Sequence, residues 1–266
     1  MKLNNGAFKN MSVKLIKLTK EYKNQLIEMI DEWKLDQEQN NTDRSPYAIF
    51  KDSYEDFDYY LENLASDNPT NGWVPNSVFF LYSDTKDKLL GAVDIRHELN
   101  DKLLKTGGHI GDGIRPSERG LGYGKLILEL ALDKCIGLGI NKVLICCNKN
   151  NIRSRNAIIA NGGELENTVI DEDGETMERY WIDAPKELLL KHVDEIHIDE
   201  IVLEKIKKNL GFFENELLSE IEDALTLYRN YSKVTRKDEE YYVEHHNVLY
   251  VIDANDYSVK SAKMVK

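Results

Sequence analysis

The chain has 266 residues, with 47 acidic against 35 basic side chains and a formal net charge of −12. That length allows one large domain or two modest ones, and the charge argues against a non-specific polyanion binder, which needs many phosphate-neutralising side chains. No window approaches the roughly 18 consecutive apolar residues of a spanning helix, and three cysteines, Cys135, Cys146 and Cys147, are too few for a disulfide framework. A cytoplasmic protein with no membrane partner is expected, with nucleic acid an unlikely one.

Residues 1–11 read as a polar N-terminal extension. Alternating Val13, Leu15 and Leu18 predict a strand, and Tyr22, Leu26, Ile27, Ile30 and Trp33 predict an amphipathic helix over 21–35. A second helix is expected over 53–65, with Ser53 as its cap. Strands follow at 77–83, 89–99 and 108–116. A helix at 123–137, a buried strand at 142–147 and a helix at 152–161 come next, and a hairpin of Glu164–Val169 with Met177–Ile182 closes the series. The fold class is a mixed α/β domain whose central sheet is mainly antiparallel and flanked by helices.

A boundary is read at Pro185, beyond the aromatic run Tyr180-Trp181-Ile182 and before a charged segment. Residues 185–266 read as a second, small α+β domain with helices at 198–209 and 216–231 and three strands between Tyr241 and Val265. This element order is loosely similar to compact RelE-like toxin ribonucleases, although basic side chains are sparse. A substrate-recruiting or homodimer-forming role fits better, and an inert appendage is the bland alternative. His245 and His246 should alternate faces of a strand, so they are not expected to meet at one site. There is no HExxH pair, and Cys146-Cys147 has no second cysteine pair, so no metal is expected.

The segment RPSERGLGYGKLILELALDKCIGLG carries the chemistry. Gly120, Gly122 and Gly124 lie between a predicted strand and a predicted helix, where missing side chains permit tight turns and the helix's first amides form an anion site. A Walker loop is excluded because Lys125 is followed by Leu126, and a dinucleotide fingerprint lacks its acidic ribose partner. A plain strand-to-helix turn is the alternative.

Residues 12–184 resemble the GNAT family of N-acetyltransferases. Arg119, Gly122 and Gly124 match its pyrophosphate loop, GHIGDGIRP matches its central strand, and KVLICCNKNNIRSRNAIIANGG is similar to its fifth strand and fourth helix, with Asn151 and Ser154 at polar positions. The resemblance implies acetyl-CoA as co-substrate, with pantetheine bonding to main chain at Gly113, Ile114 and Arg115, and the diphosphate held by Arg119, Gly120, Leu121, Gly122, Tyr123 and Gly124. Asn151 and Ser154 either touch the cofactor or cap a helix. The implied reaction is direct attack by a primary amine, from a small molecule or a protein, in a ternary complex, with the Ile114 amide as oxyanion donor. Asp112 and Asp94 are the candidate bases or acceptor anchors, each against a structural role. Ile158 stands where many relatives have an acidic tyrosine, which leaves Tyr123 or Tyr180 as weak replacements and opens a second reading, a non-catalytic acyl-CoA sensor. A third reading places ribonuclease activity in the C-terminal domain. His109 is expected to pack at a strand end.

Overall fold

The computed structural model describes residues 12–40, 42, 44–70, 72–227 and 231–265; the expected N-terminal extension lies outside them. The chain forms two compact units that divide between Ile182 and Asp183, with Gly139–Asn141 grouped with the second.

In the first unit, β1 (Val13–Ile16), β2 (Asn76–Ser83), β3 (Lys88–Arg96) and β4 (Ile110–Ile114) form an antiparallel sheet in chain order. α1 (Lys23–Asn40) buries Leu26, Met29, Ile30 and Trp33, the i, i+3, i+4, i+7 stripe of an amphipathic helix. That stripe joins Ile49, Phe57 and Tyr60 over the Val78, Phe80 and Tyr82 face of β2. A short 3₁₀ turn at Tyr47–Phe50 completes this layer and had no periodic signature in the sequence. α2 (Phe57–Asn63) starts later than the sequence suggested. Its cap is Asp56, whose carboxylate accepts the Tyr59 amide at 3.1 Å, whereas Ser53 accepts the Glu55 amide in a local turn.

α3 (Tyr123–Gly137) packs on β1, β3 and β4 through a face that includes Ile127, Leu128, Ala131 and Leu132. β5 (Lys142–Asn148) belongs to a second sheet of order β5-β7-β6, completed by β6 (Glu164–Ile170) and β7 (Thr176–Asp183). α4 (Ile152–Ile159) lies between β5 and β6 in the chain and packs on α3. The mixed, mainly antiparallel architecture with flanking helices agrees with the expectation.

Among the described residues the second unit has three α-helices and four strands rather than two and three. α5 (Ala184–Leu190) occupies the expected boundary, with Pro185 in its first turn, where a missing N–H costs nothing. α6 (Glu200–Leu210) ends on Gly211 at φ 78°, and α7 (Glu214–Leu225) starts with the Phe213 amide donating to the Glu216 carboxylate at 3.0 Å. β8 (Lys233–Lys237), β9 (Glu240–His245), β10 (Val248–Asp253) and β11 (Val259–Met264) form an antiparallel meander. Leu203, Ile206, Leu217, Ile221, Val243, Tyr250 and Ile252 lie in its core.

The expectation for His245 and His246 is overturned. β9 ends at His245, and His246 and Asn247 take left-handed conformations at φ 46° and 64°, so strand alternation no longer applies. Both imidazoles then approach Glu220 of α7. No helix among the described residues is long and apolar enough to cross a membrane.

Candidate functional site

β3 and β4 pair with Gly91 opposite Ile114, Val93 opposite Asp112 and Ile95 opposite Ile110. Arg115 donates its amide to Leu90 O at 2.9 Å and Arg96 its amide to His109 O at 2.8 Å, which fixes the phase of the ladder. Gly111 and Gly113 therefore bond inward to β3, while Asp112 and Ile114 turn their main-chain groups to the outer edge. At that edge Asp112 O accepts Ser45 Oγ at 2.9 Å and Ile114 O accepts Arg119 Nε at 3.0 Å. No partner for the Ile114 N–H is found among the described residues.

The outer edge stays open because β4 meets β5 at one end only. Gly108 bridges Ile145, His109 donates its amide to Leu144 O at 2.7 Å, and Leu144 donates its amide back to His109 Nδ1 at 2.9 Å. The imidazole thus supplies a ladder bond at the apex of a splayed pair. Burial, with Arg96 nearby, pushes its pKa down to about 4, so the ring stays neutral with Nδ1 as acceptor. His109 does pack at a strand end, and it rivets the two sheets as well.

The loop after β4 is braced from α1. Glu32 accepts Arg115 Nε at 2.8 Å, Arg115 Nη2 at 2.5 Å, and the Ser117 amide and hydroxyl at 2.5 and 3.1 Å. One turn on, Asp36 accepts Arg119 Nη1 at 2.7 Å. Burial pushes the Glu32 carboxyl up, but the Ser117 amide and the Arg115 guanidinium outweigh it and hold it below its ordinary range. Asp36 is likewise lowered, by Arg119, Asn40 and Thr42 against burial.

Two expectations change as a result. Arg115 is a buried structural cation whose amide belongs to the β3 ladder, so it offers no free N–H to a pantetheine arm. Arg119 directs Nε onto Ile114 O and Nη1 onto Asp36, which gives it a bracing role in the loop beside the phosphate contact expected of it.

The glycines behave as the sequence suggested. Gly120 and Gly122 sit at φ 80° and 88°, conformations that side-chain-bearing residues avoid. Gly122 O accepts the Lys125 and Leu126 amides, opening α3. For the amides of Gly120, Leu121, Gly122, Tyr123 and Gly124 no partner is found among the described residues, as expected for the amides leading into a helix. Leu121 is exposed and Tyr123 buried. Five successive amides at a helix start, beside an open strand edge, fit a diphosphate joined to an amide-bearing arm.

The two carboxylate candidates do not converge. Asp112 faces the same side as Val93, its cross-strand partner, whereas Asp94 pairs with Gly111 and faces the other side. Asp94 is buried, accepting Asn76 Nδ2 at 2.7 Å and ion-paired with Arg96 at 3.2 Å. It is a fixture of the sheet core, neither an edge charge nor an open base. Asp112 and Ile114 share one face, with Asp112 near Cys147 of β5.

Asn151 caps α4, its side-chain oxygen accepting the Ser154 amide at 3.1 Å, so the capping role is the one observed. Ile158 is fully buried. Tyr180 donates its hydroxyl to Glu178 at 2.9 Å, and Glu178 is held by Arg155 at 2.7 and 2.8 Å. Burial and this carboxylate push the phenol up to about 12, which makes it a poor proton donor. Tyr123 lies with its ring 5.4 Å from Lys86 Nζ. Sequence reasoning missed Glu32 and Asp36, although their spacing of four matches that of Arg115 and Arg119; it also missed His109 as a clamp.

The model of the Acetyltransferase (GNAT) family matches residues 28–158. The N-terminal unit has a GNAT acetyltransferase fold. The homology supports acetyltransferase-type chemistry for this GNAT-fold unit and acetyl-CoA as the kind of ligand it takes. Similar solved structures include a chimera of spermidine N-acetyltransferase SpeG from Vibrio cholerae and hSSAT, at 17% identity and TM-score 0.47, covering 66% of this chain and 99% of that one. Another is the microcin C7 self-immunity acetyltransferase MccE, in complex with acetyl-CoA and AMP, at 18% identity and TM-score 0.47, covering 64% and 91%. No curated protein sequence matches significantly. These similarities give no support to the RelE-like reading of the C-terminal unit.

Proposed function

We propose that the GNAT-fold unit transfers an acetyl group from acetyl-CoA to a primary amine, by direct attack within a ternary complex. The observation that carries this reading is the run of amides from Gly120 to Gly124 lacking intramolecular partners, beside the outward-turned Ile114. Acetyl-CoA supplies the activated thioester. Main-chain amides of the loop and the first turn of α3 hold the diphosphate, and the helix dipole adds to the attraction. Lys125 lies in that turn with no ion-pair partner among the described residues and supplies positive charge beside Arg119, which is paired with Asp36.

The Ile114 N–H stabilises negative charge developing on the acyl oxygen, which needs a preorganised donor and no side-chain nucleophile. Asp112, on the same face, accepts the amine proton directly or through water, or anchors the cationic acceptor. The test combines calorimetric titration of the full chain with acetyl-CoA and a thiol-release assay over a panel of primary amines. Acetyl-CoA binding with acceptor-dependent thiol release is expected. Absence of binding overturns the reading.

A second reading, an acyl-CoA-binding sensor without turnover, is favoured by the fully buried Ile158 and by the phenol of Tyr180, tied to Glu178. Tight binding with no release across the panel selects it.

A further inference from the structure

In the second unit, Glu220 projects from α7 toward the hairpin that joins β9 to β10. His246 Nδ1 lies 3.2 Å from Glu220 Oε2 and His245 Nε2 lies 3.9 Å from the same oxygen. One ligand atom from each of the three residues falls within 4.8 Å of the others. The left-handed pair His246-Asn247 produces this: the chain reverses so sharply that the two imidazole centroids stand 3.8 Å apart.

We propose that Glu220, His245 and His246 bind a divalent first-row transition metal, with zinc the best match. Two imidazoles and one carboxylate are a donor set for zinc and its neighbours, unlike the all-oxygen shells of calcium or magnesium. Tetrahedral bonds of about 2.0–2.1 Å put ligand atoms roughly 3.3 Å apart; the His246–Glu220 spacing already fits, and His245 must close in from 3.9 Å as the metal binds.

A second observation points to the same place. Tyr250 is fully buried, and its hydroxyl finds no hydrogen-bond partner among the described residues. It pairs with Val243 across the sheet and so shares a face with His245, two residues along, and it feels the charge of Glu220. With three protein ligands, a metal keeps a water in its fourth position, and a bound water beside this phenol supplies the partner that a buried hydroxyl requires.

The experiment uses the full chain after chelator treatment. Titration with Co²⁺ is followed by visible absorption, and titration with Zn²⁺ by calorimetry and thermal melting. One ion per chain, a tetrahedral Co²⁺ band and a metal-dependent rise in melting temperature are expected. His246→Ala and Glu220→Gln should each weaken binding at least tenfold, since removing a ligand costs more than the ~10–100-fold lost with a supporting partner. His192→Ala, whose imidazole pairs with Glu195, should bind as the parent does. Circular dichroism checks that each variant is folded. Absence of stoichiometric binding, or binding unchanged in both ligand variants, overturns the proposal.

Discussion

Replacing Glu32 by glutamine tests the bracing of the β4–α3 loop by α1. The carboxylate accepts two donors from Arg115 and two from Ser117, and the Arg115 side chain is only 5% exposed. Glutamine preserves shape and one acceptor oxygen but leaves the guanidinium without a counter-charge, with Leu89 O at 3.2 Å as its remaining protein acceptor among the bonds above. Breaking a buried pair on one side costs about 3–5 kcal/mol; the retained amide oxygen and the partial exposure of Glu32 reduce this to about 2–3 kcal/mol. All three tryptophans, Trp33, Trp73 and Trp181, lie in the first unit, so urea unfolding followed by tryptophan fluorescence reports on that unit alone. With a slope of about 1–3 kcal/mol per molar, the midpoint should fall by roughly 1 M or more. The sign with pH is fixed as well. The folded carboxyl titrates below its ordinary value of 4.5, so its contribution is complete above that value and is lost as pH falls through the folded pKa. Parent and variant should converge in acid. A loss under about 0.5 kcal/mol at neutral pH, well below the few kcal/mol of a broken buried pair, or a gap that persists in acid, would refute the reasoning.

Gly122→Trp combines strain at φ 88°, costing about 1–2 kcal/mol, with obstruction of the amide run, and should weaken acetyl-CoA binding at least tenfold while the C-terminal unit stays folded; unchanged affinity by calorimetry removes the placement. His109 resists protonation down to about pH 4, whereas in the unfolded chain it takes a proton near 6.5. Stability is therefore full above that window and declines through it on acidification, by up to about 3 kcal/mol, and His109→Gln should abolish this decline in denaturation series between pH 7 and 4. Asp112→Asn should erase the acid limb of the pH–rate profile for amine acetylation, and an unaltered profile excludes it as the base. Tyr180→Phe should leave kcat within about threefold, since a general acid's loss costs roughly 10²–10⁴; a fall of that size in steady-state assays reinstates it.

The sequence made the sheets and the glycine loop readable because both leave local signatures: alternation in β2 and β3, and glycines at every second position from Gly120 into the first turn of α3. What escaped depends on context. Tyr47–Phe50 is too short to show a period. Val234 is the sole buried side chain of β8, whose other positions are polar, so the strand has no apolar face to detect. Pro185 signals a break when read alone, yet it serves as a helix opener. At the site, the loop was visible but the duties of its arginines were not, because their partners come from α1, 83 residues away in the chain. The alternation rule separated His245 from His246, and it fails where a strand turns back on itself.

The two carboxylates on successive turns of α1 mean that the glycine loop is not a portable cassette. Transplanting residues 115–124 into another scaffold would leave Arg115 and Arg119 without counter-ions, and a working graft would have to carry Glu32 and Asp36 with it. The loop's shape is thus inherited from a helix that precedes it by most of a sheet, and a substitution at either anchor would loosen it from a distance.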